Sequence, residues 1–526
     1  MNSVKNKTAT VGCGLSLGPI LEFLDNNDPE TLREFLACDK VEVDEADEDG
    51  WTGLLYAVSR GQPRAVTCLL EAGADPNKCD ADNRSALHEA VTNNLTDILR
   101  LLLRAGADIE ARDTDSWSPL LVACYLGLKD CVQILLEAGA KPGVLGKQKC
   151  SALAWASGRG HLDIVRLLLG HGVPVDTGDK YGTTPLIWAV RAGHLSIVTE
   201  LLEAGAKIDA VGMYAWNALV LAAKGNHEDV LHCLLQFSPN VNIVNQDGFT
   251  ALAVACKEGN LRIVHQLISA GAHVNLQDKF GDTNLILASK AGHATIVDLL
   301  LRRYADVDTR GKENKTALYN AVEKDHVEVV RLLLAAKADV DVTADGNSPL
   351  LRAVKNRNPE IVKMLLDKKA KLHHADRKGD TALHVAMRAG SKTIIETILR
   401  NLKNGPLLHK PNLKGETPYN IDLATARPIL SQLFGARQLN TNETSAPENL
   451  LGYELYGAAL GNILSEPSLS LPVTVGLYAK WGSGKGLLIN KLMQELGSYS
   501  RQWVEPQVRL SPFIFFVIIH VICFTG

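Results

Sequence analysis

A glycine-rich segment near the C-terminus has the residue types that bind phosphate groups. Residues 479–485 read Ala-Lys-Trp-Gly-Ser-Gly-Lys. The apolar run 472–478 before it predicts a buried strand, and the pattern of 487–496 after it predicts a helix. In such a setting, backbone N–H groups and the helix start surround phosphates, and a lysine reaches the terminal ones. Candidate nucleotide-binding residues are therefore Gly482, Ser483, Gly484 and Lys485.

Two departures argue against catalysis by this loop. Ala479 replaces the first loop glycine, and Gly486 stands where a serine or threonine would hold Mg²⁺. The sequence also ends 41 residues after Lys485, so we expect no room for the remaining strands of an NTPase. We therefore predict a vestigial loop, with no catalytic residue, no bound metal and no cofactor. Nucleotide binding remains the alternative.

Histidines recur at one position of the sequence: His161, His194, His227, His293 and His326. A metal or catalytic array would need partner side chains that complete a site, and none accompanies them. We predict hydrogen bonding at helix turns instead. The ten cysteines form no Cys-x-x-Cys pair, which disfavours a zinc module or a disulfide framework and fits a reduced cytosolic setting. Most of them are predicted to be core thiols.

The composition excludes several classes of protein. Lys plus Arg is 55 and Asp plus Glu is 59, which gives a net charge of −4 over 526 residues. A chain-wide footprint for nucleic acid or a membrane surface is therefore not predicted. The apolar fraction of 46% and the charged fraction of 22% are typical of a folded protein, not of a disordered one.

A hydroxyl residue two positions before a leucine recurs along the chain and supplies the framework. The step is 33 residues, except for one step of 32 between Thr316 and Ser348, and Asn217 replaces the hydroxyl once. The eleven positions, here called the hydroxyl positions, are Thr52, Ser85, Ser118, Ser151, Thr184, Asn217, Thr250, Thr283, Thr316, Ser348 and Thr381. Each side chain can cap a helix start.

The residue nine positions after each hydroxyl predicts the end of that helix. It is glycine in seven repeats, and Asn94, Asn226 and Asp325 also tolerate a left-handed backbone, whereas Arg357 fits poorly. A second apolar-periodic helix follows and ends in a Gly-Ala pair such as Gly73-Ala74. Each unit is therefore predicted to be a helix, a turn, a second helix and a polar turn.

This pattern resembles the ankyrin repeat, whose Thr-Pro-Leu-His segment corresponds to Thr184-Pro185-Leu186 and to 381–384. The predicted fold class is an all-α ankyrin-repeat solenoid of about 11–12 repeats, with a truncated α/β phosphate-loop segment at the C-terminus. The predicted domains are 1–46 (tail and capping helices), 47–412 (repeat array), 413–434 (capping repeat), 435–449 (linker) and 450–526 (truncated segment).

The resemblance implies that partners bind to the first helices and to the hairpin tips. Seven residues after the hydroxyl, four consecutive repeats carry a cation, and Arg159 joins from the adjacent column. Aromatic residues also occupy turn positions, where polar residues are usual. The predicted partner-binding residues are the cations Arg159, Arg191, Lys224, Lys257 and Lys290, and the aromatics Trp117, Tyr181, Tyr214, Trp216, Phe249 and Phe280. Trp155 and Trp188 are predicted to fill the core.

The phosphate-loop segment carries a second resemblance. A Trp-Gly-Ser-Gly-Lys loop after a short strand resembles the KAP group of P-loop NTPases, in which membrane segments follow the loop. The apolar run 513–524 agrees with this, although crossing a bilayer takes ~20 apolar residues. Together the two parts resemble the ankyrin repeat-rich membrane-spanning scaffolds, the kinase D-interacting substrate family. The expectation is a truncated form of such a scaffold.

That resemblance implies a non-enzymatic signalling scaffold, linked to growth-factor receptors of neurons. The cations and aromatics at the predicted partner-binding positions indicate extended or acidic segments of signalling proteins or receptors, phosphorylated ones included. The other expected partner is a membrane, through the C-terminal end, and no nucleic acid is expected. The scaffold would lie at the cytoplasmic face of a membrane, or in the cytoplasm if that end does not anchor. The alternatives are a P-loop NTPase regulated by the repeats, and a soluble decoy that binds the same partners.

Overall fold

The computed structural model describes residues 17–37, 41–400, 407–424 and 429–430. The predicted linker, the phosphate loop and the apolar run 513–524 lie outside the described residues. The described part is helical, with only isolated β-bridges besides the helices, which confirms the predicted all-α repeat class. The chain divides into two compact units, Met1–Asn284 and Leu285–Gly526, which are described separately.

The helices of the first unit form pairs along the chain. An N-terminal pair is followed by seven repeats, in each of which an odd-numbered first helix precedes an even-numbered second helix. The helices are α1 (Leu17–Asn26), α2 (Pro29–Leu36), α3 (Gly53–Ser59), α4 (Pro63–Glu71), α5 (Ala86–Thr92), α6 (Thr96–Arg104), α7 (Pro119–Leu126), α8 (Lys129–Glu137), α9 (Ala152–Arg159), α10 (Leu162–Gly170), α11 (Pro185–Ala192), α12 (Leu195–Glu203), α13 (Ala218–Gly225), α14 (Glu228–Gln236), α15 (Ala251–Glu258) and α16 (Leu261–Ser269).

The second unit continues the same alternation. Its helices are α17 (Asn284–Ala291, which begins at the last residue of the first unit), α18 (Ala294–Arg302), α19 (Ala317–Glu323), α20 (Val327–Ala335), α21 (Pro349–Lys355), α22 (Pro359–Asp367), α23 (Ala382–Ala389), α24 (Lys392–Leu399) and α25 (Pro418–Leu423).

The hydroxyl positions start the first helices, as predicted. Ser151 Oγ accepts a hydrogen bond from Ala154 N at 3.1 Å, and Thr250 Oγ1 accepts one from Ala253 N at 3.1 Å. Asn217 acts in the same way, because its Oδ1 accepts from Val220 N at 2.9 Å. These bonds satisfy donors that the first turn of a helix leaves without partners.

The first helices end at left-handed residues in all eleven repeats. The glycines have φ between 67° and 89°, and Asn94, Asn226, Asp325 and Arg357 have φ between 55° and 60°. Arg357 therefore adopts the conformation that its side chain disfavours. The ends of the second helices follow the same rule, with Tyr304, Lys337 and Lys369 as the left-handed residues of the second unit.

Apolar side chains of both helices form a continuous core within each unit. In the first unit, α9 packs on α7 and α11, and Leu153, Val165 and Leu168 are fully buried. The N-terminal pair α1 and α2 closes this core, with Leu17 and Ile20 fully buried. In the second unit, α25 packs on α23.

The single step of 32 residues falls in the hairpin tip before α21. Ala344 and Asn347 pair directly through two backbone hydrogen bonds of 3.0 and 2.8 Å. The two residues between them, Asp345 and Gly346, both have positive φ, at 52° and 72°. This is the favoured geometry of a two-residue Asp-Gly hairpin turn, so the missing residue is accommodated by a shorter turn.

Candidate protein-binding surface

Four aromatic rings of the first unit contact one another across consecutive repeats, in tilted or edge-to-face pairs. Trp117 lies before the cap of α7, Tyr125 lies on α7, and Trp155 and Trp188 lie on α9 and α11. The Trp155 ring centroid is 5.1 Å from that of Trp117, 5.2 Å from that of Tyr125 and 6.1 Å from that of Trp188. We call these four residues the aromatic ladder. Aromatic pairs at such distances stabilise the fold by more than the burial of their surface alone.

The position of Trp155 and Trp188 corrects the sequence prediction. Both were expected in the core, but both are only half-buried. They lie four residues after the hydroxyl position, on a helix face where large rings contact one another and keep part of their surface in solvent. Gly158 makes this possible, because a Cβ atom there would lie only 3.3 Å from Trp188 Cε3.

Exposed cations lie over aromatic rings of the first unit. The Arg159 guanidinium is 4.0 Å from the Tyr125 ring centroid, and Arg159 also donates a hydrogen bond to the Tyr125 hydroxyl. The other pairs are Arg191 over Trp188 at 5.7 Å, Lys224 over Trp216 at 4.5 Å and Lys257 over Phe249 at 5.6 Å. We call Arg159, Arg191, Lys224 and Lys257 the cation row. Each holds its charge beside a ring face, which a cation favours.

The equivalent positions of the second unit contain ion pairs. Lys315 and Arg352 contact Glu323 at 3.1 and 3.0 Å. Lys355 contacts Asp376 at 3.1 Å, and Arg388 contacts Asp380 at 3.0 Å. Carboxylates of the same unit therefore pair with the cations at these positions. Lys290 is exposed and belongs to this unit, so it is described apart from the cation row.

The six aromatics predicted at the hairpin tips fall into two groups. Trp117, Trp216 and Phe249 immediately precede a hydroxyl position and are half-buried, and their rings pack on the first helices. Tyr181, Tyr214 and Phe280 lie two residues further out and are 45%, 60% and 54% exposed. The predicted set is thus partly a ring-lined face and partly a row of tip side chains.

One tip contains exposed residues that the sequence reasoning missed. Val211 and Met213 flank Gly212 and are 47% and 42% exposed. Tyr214 and Ala215 follow with φ of 57° and 55°, so two consecutive non-glycine residues are left-handed. The sequence contained a signal for these exposed residues, because Val and Met are unusual at turn positions.

The recurring histidines form structural contacts, as predicted. His161 Nε2 lies 3.3 Å from the Tyr125 carbonyl oxygen, and His326 Nε2 lies 3.3 Å from that of Lys290. A Cβ atom on Gly127 would lie 2.4 Å from the His161 ring. Within the described residues, no cluster of three or more His, Cys, Asp or Glu side chains could hold a metal ion.

The cysteines that were predicted to be core thiols are mostly in the core. Cys124, Cys131 and Cys256 are fully buried, and Cys150 is nearly so. Burial raises the pKa of the Cys131 thiol to about 11 and that of Cys150 to about 12. Such thiols stay protonated at neutral pH and are poor nucleophiles.

The nucleotide-binding candidates Gly482, Ser483, Gly484 and Lys485 lie outside the described residues. The apolar run 513–524 lies outside them as well. Among the helices that the structure does describe, none combines the length and the apolar character that membrane crossing demands.

Models of known families match two parts of the chain. The model described as ankyrin repeats (3 copies) matches overlapping segments that extend from residue 22 to residue 406. The model described as a KAP family P-loop domain matches residues 453–513. Both resemblances predicted from the sequence are therefore confirmed.

Curated relatives match a shorter stretch. The chain is similar to "Kinase D-interacting substrate of 220 kDa" of Homo sapiens, with 50% identity over 119 residues, which is 23% of this chain and 7% of the relative. The protein of the same name from Rattus norvegicus matches with the same identity and coverage. This chain thus aligns with only a small part of these relatives.

Proposed function

Because the chain belongs to the ankyrin-repeat family, we propose that it is a membrane-associated signalling scaffold that docks protein partners and catalyses no reaction itself. Ankyrin repeats are protein-interaction modules, and the relatives' name describes a substrate that interacts with a kinase. The aligned part is 7% of those relatives, so their kinase partner is a proposal for this chain. The division into five domains given above remains part of the proposal.

The observation that carries the docking proposal is the pairing of cations with rings in the first unit. Arg159, Arg191 and Lys224 have no ion pair in the part of the chain that the structure describes. Aromatic residues and arginine dominate the binding energy of protein interfaces. A surface with tryptophans, tyrosine and unneutralised cations therefore supports recognition of an acidic segment of a signalling protein or receptor.

The experiment is affinity capture with the full chain, followed by mass spectrometry and measurement of affinity. The test variant replaces the four residues of the cation row, Arg159, Arg191, Lys224 and Lys257, by glutamate. We expect loss of the captured partner and a weaker dependence of affinity on salt, because these charges would contact the partner.

A matched control changes the same number of charges elsewhere. It replaces four exposed cations of second helices by glutamate: Arg64, Arg100, Lys363 and Lys392. Both variants should retain the helical circular dichroism spectrum. Equal affinity of the wild-type chain and the test variant would refute docking on this surface.

The membrane part of the proposal is based on the apolar run 513–524 and the KAP family match. The scaffold would then act at the cytoplasmic face of a membrane. Flotation on liposomes, with and without residues 505–526, measures this directly. If both forms stay at the bottom of the gradient, the soluble decoy becomes the better description.

The alternative enzymatic function is favoured by one observation, the match of residues 453–513 to a P-loop NTPase family. Gly486 stands at the usual Mg²⁺-binding position of the loop and argues against hydrolysis. Binding of radiolabelled ATP and GTP, and their turnover, would distinguish the two. Turnover that Lys485→Ala abolishes would establish the enzyme and exclude the purely scaffolding function.

A further inference from the structure

The aromatic ladder and the cation row run along consecutive repeats with one cation per repeat. Arg191, Lys224 and Lys257 lie seven residues after successive hydroxyl positions, and Arg159 lies eight residues after the preceding one. Packed helices lie ~8–10 Å apart, so successive cations are spaced by about that distance. A partner that pairs with all of them must present acidic groups at the same interval.

Three regular backbone conformations can be compared with this interval. A polyproline II helix has three residues per turn and rises ~3.1 Å per residue, so every third side chain shares one face at a spacing of ~9.3 Å. A β-strand repeats its face every ~6.7 Å or ~13 Å, which does not fit. An α-helix reaches ~10.5 Å after seven residues and would need about 22 residues to span four cations.

The rings favour the polyproline II conformation over the α-helix. Grooves lined with aromatic side chains bind proline-rich segments in this conformation, which loses little entropy on binding. Trp117, Trp155 and Trp188 provide such a lining, with centroids 5.1 and 6.1 Å apart. All three rings are half-buried and keep part of their surface in solvent.

We infer that the aromatic ladder and the cation row bind an extended, proline-containing segment that has an acidic side chain at every third position. About ten residues of such a segment span the four cations. The prolines pack against the tryptophan rings, and the carboxylates pair with the cations. The inference depends on the proposed function, since it specifies the partner of the same surface.

The test uses the full chain and synthetic peptides in isothermal titration calorimetry. The main probe contains four Pro-Pro-Glu units. A second peptide has the same composition, with its glutamates at every second position. A third has glutamine in place of glutamate, and a fourth is an alanine-based helix with glutamate at every seventh position. We expect the first peptide to bind most tightly, with affinity that falls as salt rises.

Variants of the chain locate the binding. Arg191→Gln and Lys224→Gln should each weaken binding of the main probe by about threefold to tenfold. Lys355→Gln is the matched control, because Lys355 is already paired with Asp376 at 3.1 Å, and it should leave the affinity unchanged. Trp155→Leu should weaken binding of the glutamate and glutamine peptides alike, provided that circular dichroism shows an intact fold.

The outcomes separate this inference from the proposed function. Equal or absent binding of the two glutamate spacings, or tighter binding of the helical peptide, overturns the inference. If the Arg191→Gln chain nevertheless loses its captured cellular partner, the proposed docking surface stands with a different ligand. If capture is also unaffected, both proposals fail.

Discussion

Replacing Lys337 and Lys369 by glycine should stabilise the second unit. Both residues follow second helices, α20 and α22, and both have a φ of 64°. The first unit has glycine at most of the equivalent positions, for example Gly205 and Gly271. An L-residue in this left-handed conformation carries a steric cost that glycine avoids.

The magnitude follows from two opposing contributions. A left-handed conformation costs an L-residue about 1–2 kcal/mol, and glycine loses about 0.5–1 kcal/mol more backbone entropy on folding. Each substitution should therefore raise the free energy of unfolding by roughly 0.5–1 kcal/mol. The two sites lie in successive repeats without shared partners among the described contacts, so the gains should add to roughly 1.5 kcal/mol, or about tenfold in the opening equilibrium.

The assay is native-state hydrogen exchange of the full chain, read by mass spectrometry. Amides of Val327–Ala335 and Pro359–Asp367 should exchange faster than those of Leu162–Gly170 in the wild-type chain, and about tenfold more slowly in the double variant than in the wild type. The controls are Ala336→Gly and Lys368→Gly, at φ of −75° and −86°, which should speed exchange. Slower exchange in the controls as well, or uniform protection along the wild-type chain, would refute the reasoning.

Three further predictions concern single residues. Burial lowers the pKa of the His88 imidazole below its usual 6.5. The contribution of neutral His88 to stability is therefore complete above pH 6.5 and is lost as the pH falls. His88→Gln should flatten the pH dependence of the free energy of unfolding, as measured by urea titrations. Gly160→Ala should lower the free energy of unfolding by at least about 1 kcal/mol more than Gly73→Ala does. Both glycines are left-handed, but only at Gly160 would an added Cβ lie 2.8 Å from the His194 ring. Equal shifts of the melting temperature for the two variants would show that this contact is irrelevant. Lys485→Ala should leave ATP and GTP turnover at background, and a measurable drop would contradict the prediction of a vestigial loop.

The fold could be predicted from the sequence repeat because residues that are close in sequence determine the structure of each ankyrin unit. A capping side chain such as Ser151 and a left-handed residue such as Gly160 define one helix, and both follow from residue chemistry at a fixed spacing. The same reasoning identified Arg357 as a poor fit for a left-handed position. Its φ of 59° shows that the repeat holds it in this conformation although an arginine disfavours it. The sequence showed that the step before Ser348 is one residue shorter. It did not show the turn that accommodates the shorter step, because that turn depends on backbone pairing between Ala344 and Asn347.

The candidate surface was only partly predictable, because its ring contacts cross from one repeat to the next. The residues of the cation row could be predicted from their spacing in the sequence alone. The contact between Trp155 and Trp188 could not, because a tryptophan on an apolar helix resembles a core residue when its neighbours are unknown. Gly158 gave no signal of its role, which is that its missing side chain leaves room for the Trp188 ring.

The residue immediately before the hydroxyl position takes part in different contacts in different repeats. In the first unit it is aromatic in four repeats, as Trp51, Trp117, Trp216 and Phe249, and the last two of these lie beneath Lys224 and Lys257. In another repeat of this unit it is Arg84, which pairs with Glu89. In the second unit it is charged in Lys315 and Asp380, and both enter ion pairs. A ring attracts a cation through its quadrupole but leaves the net charge intact, whereas a carboxylate cancels it. The same backbone position can therefore either place a ring beside a cation or bring a charge into an ion pair within the repeat, and the docking of an acidic segment proposed above depends on cations of the first kind.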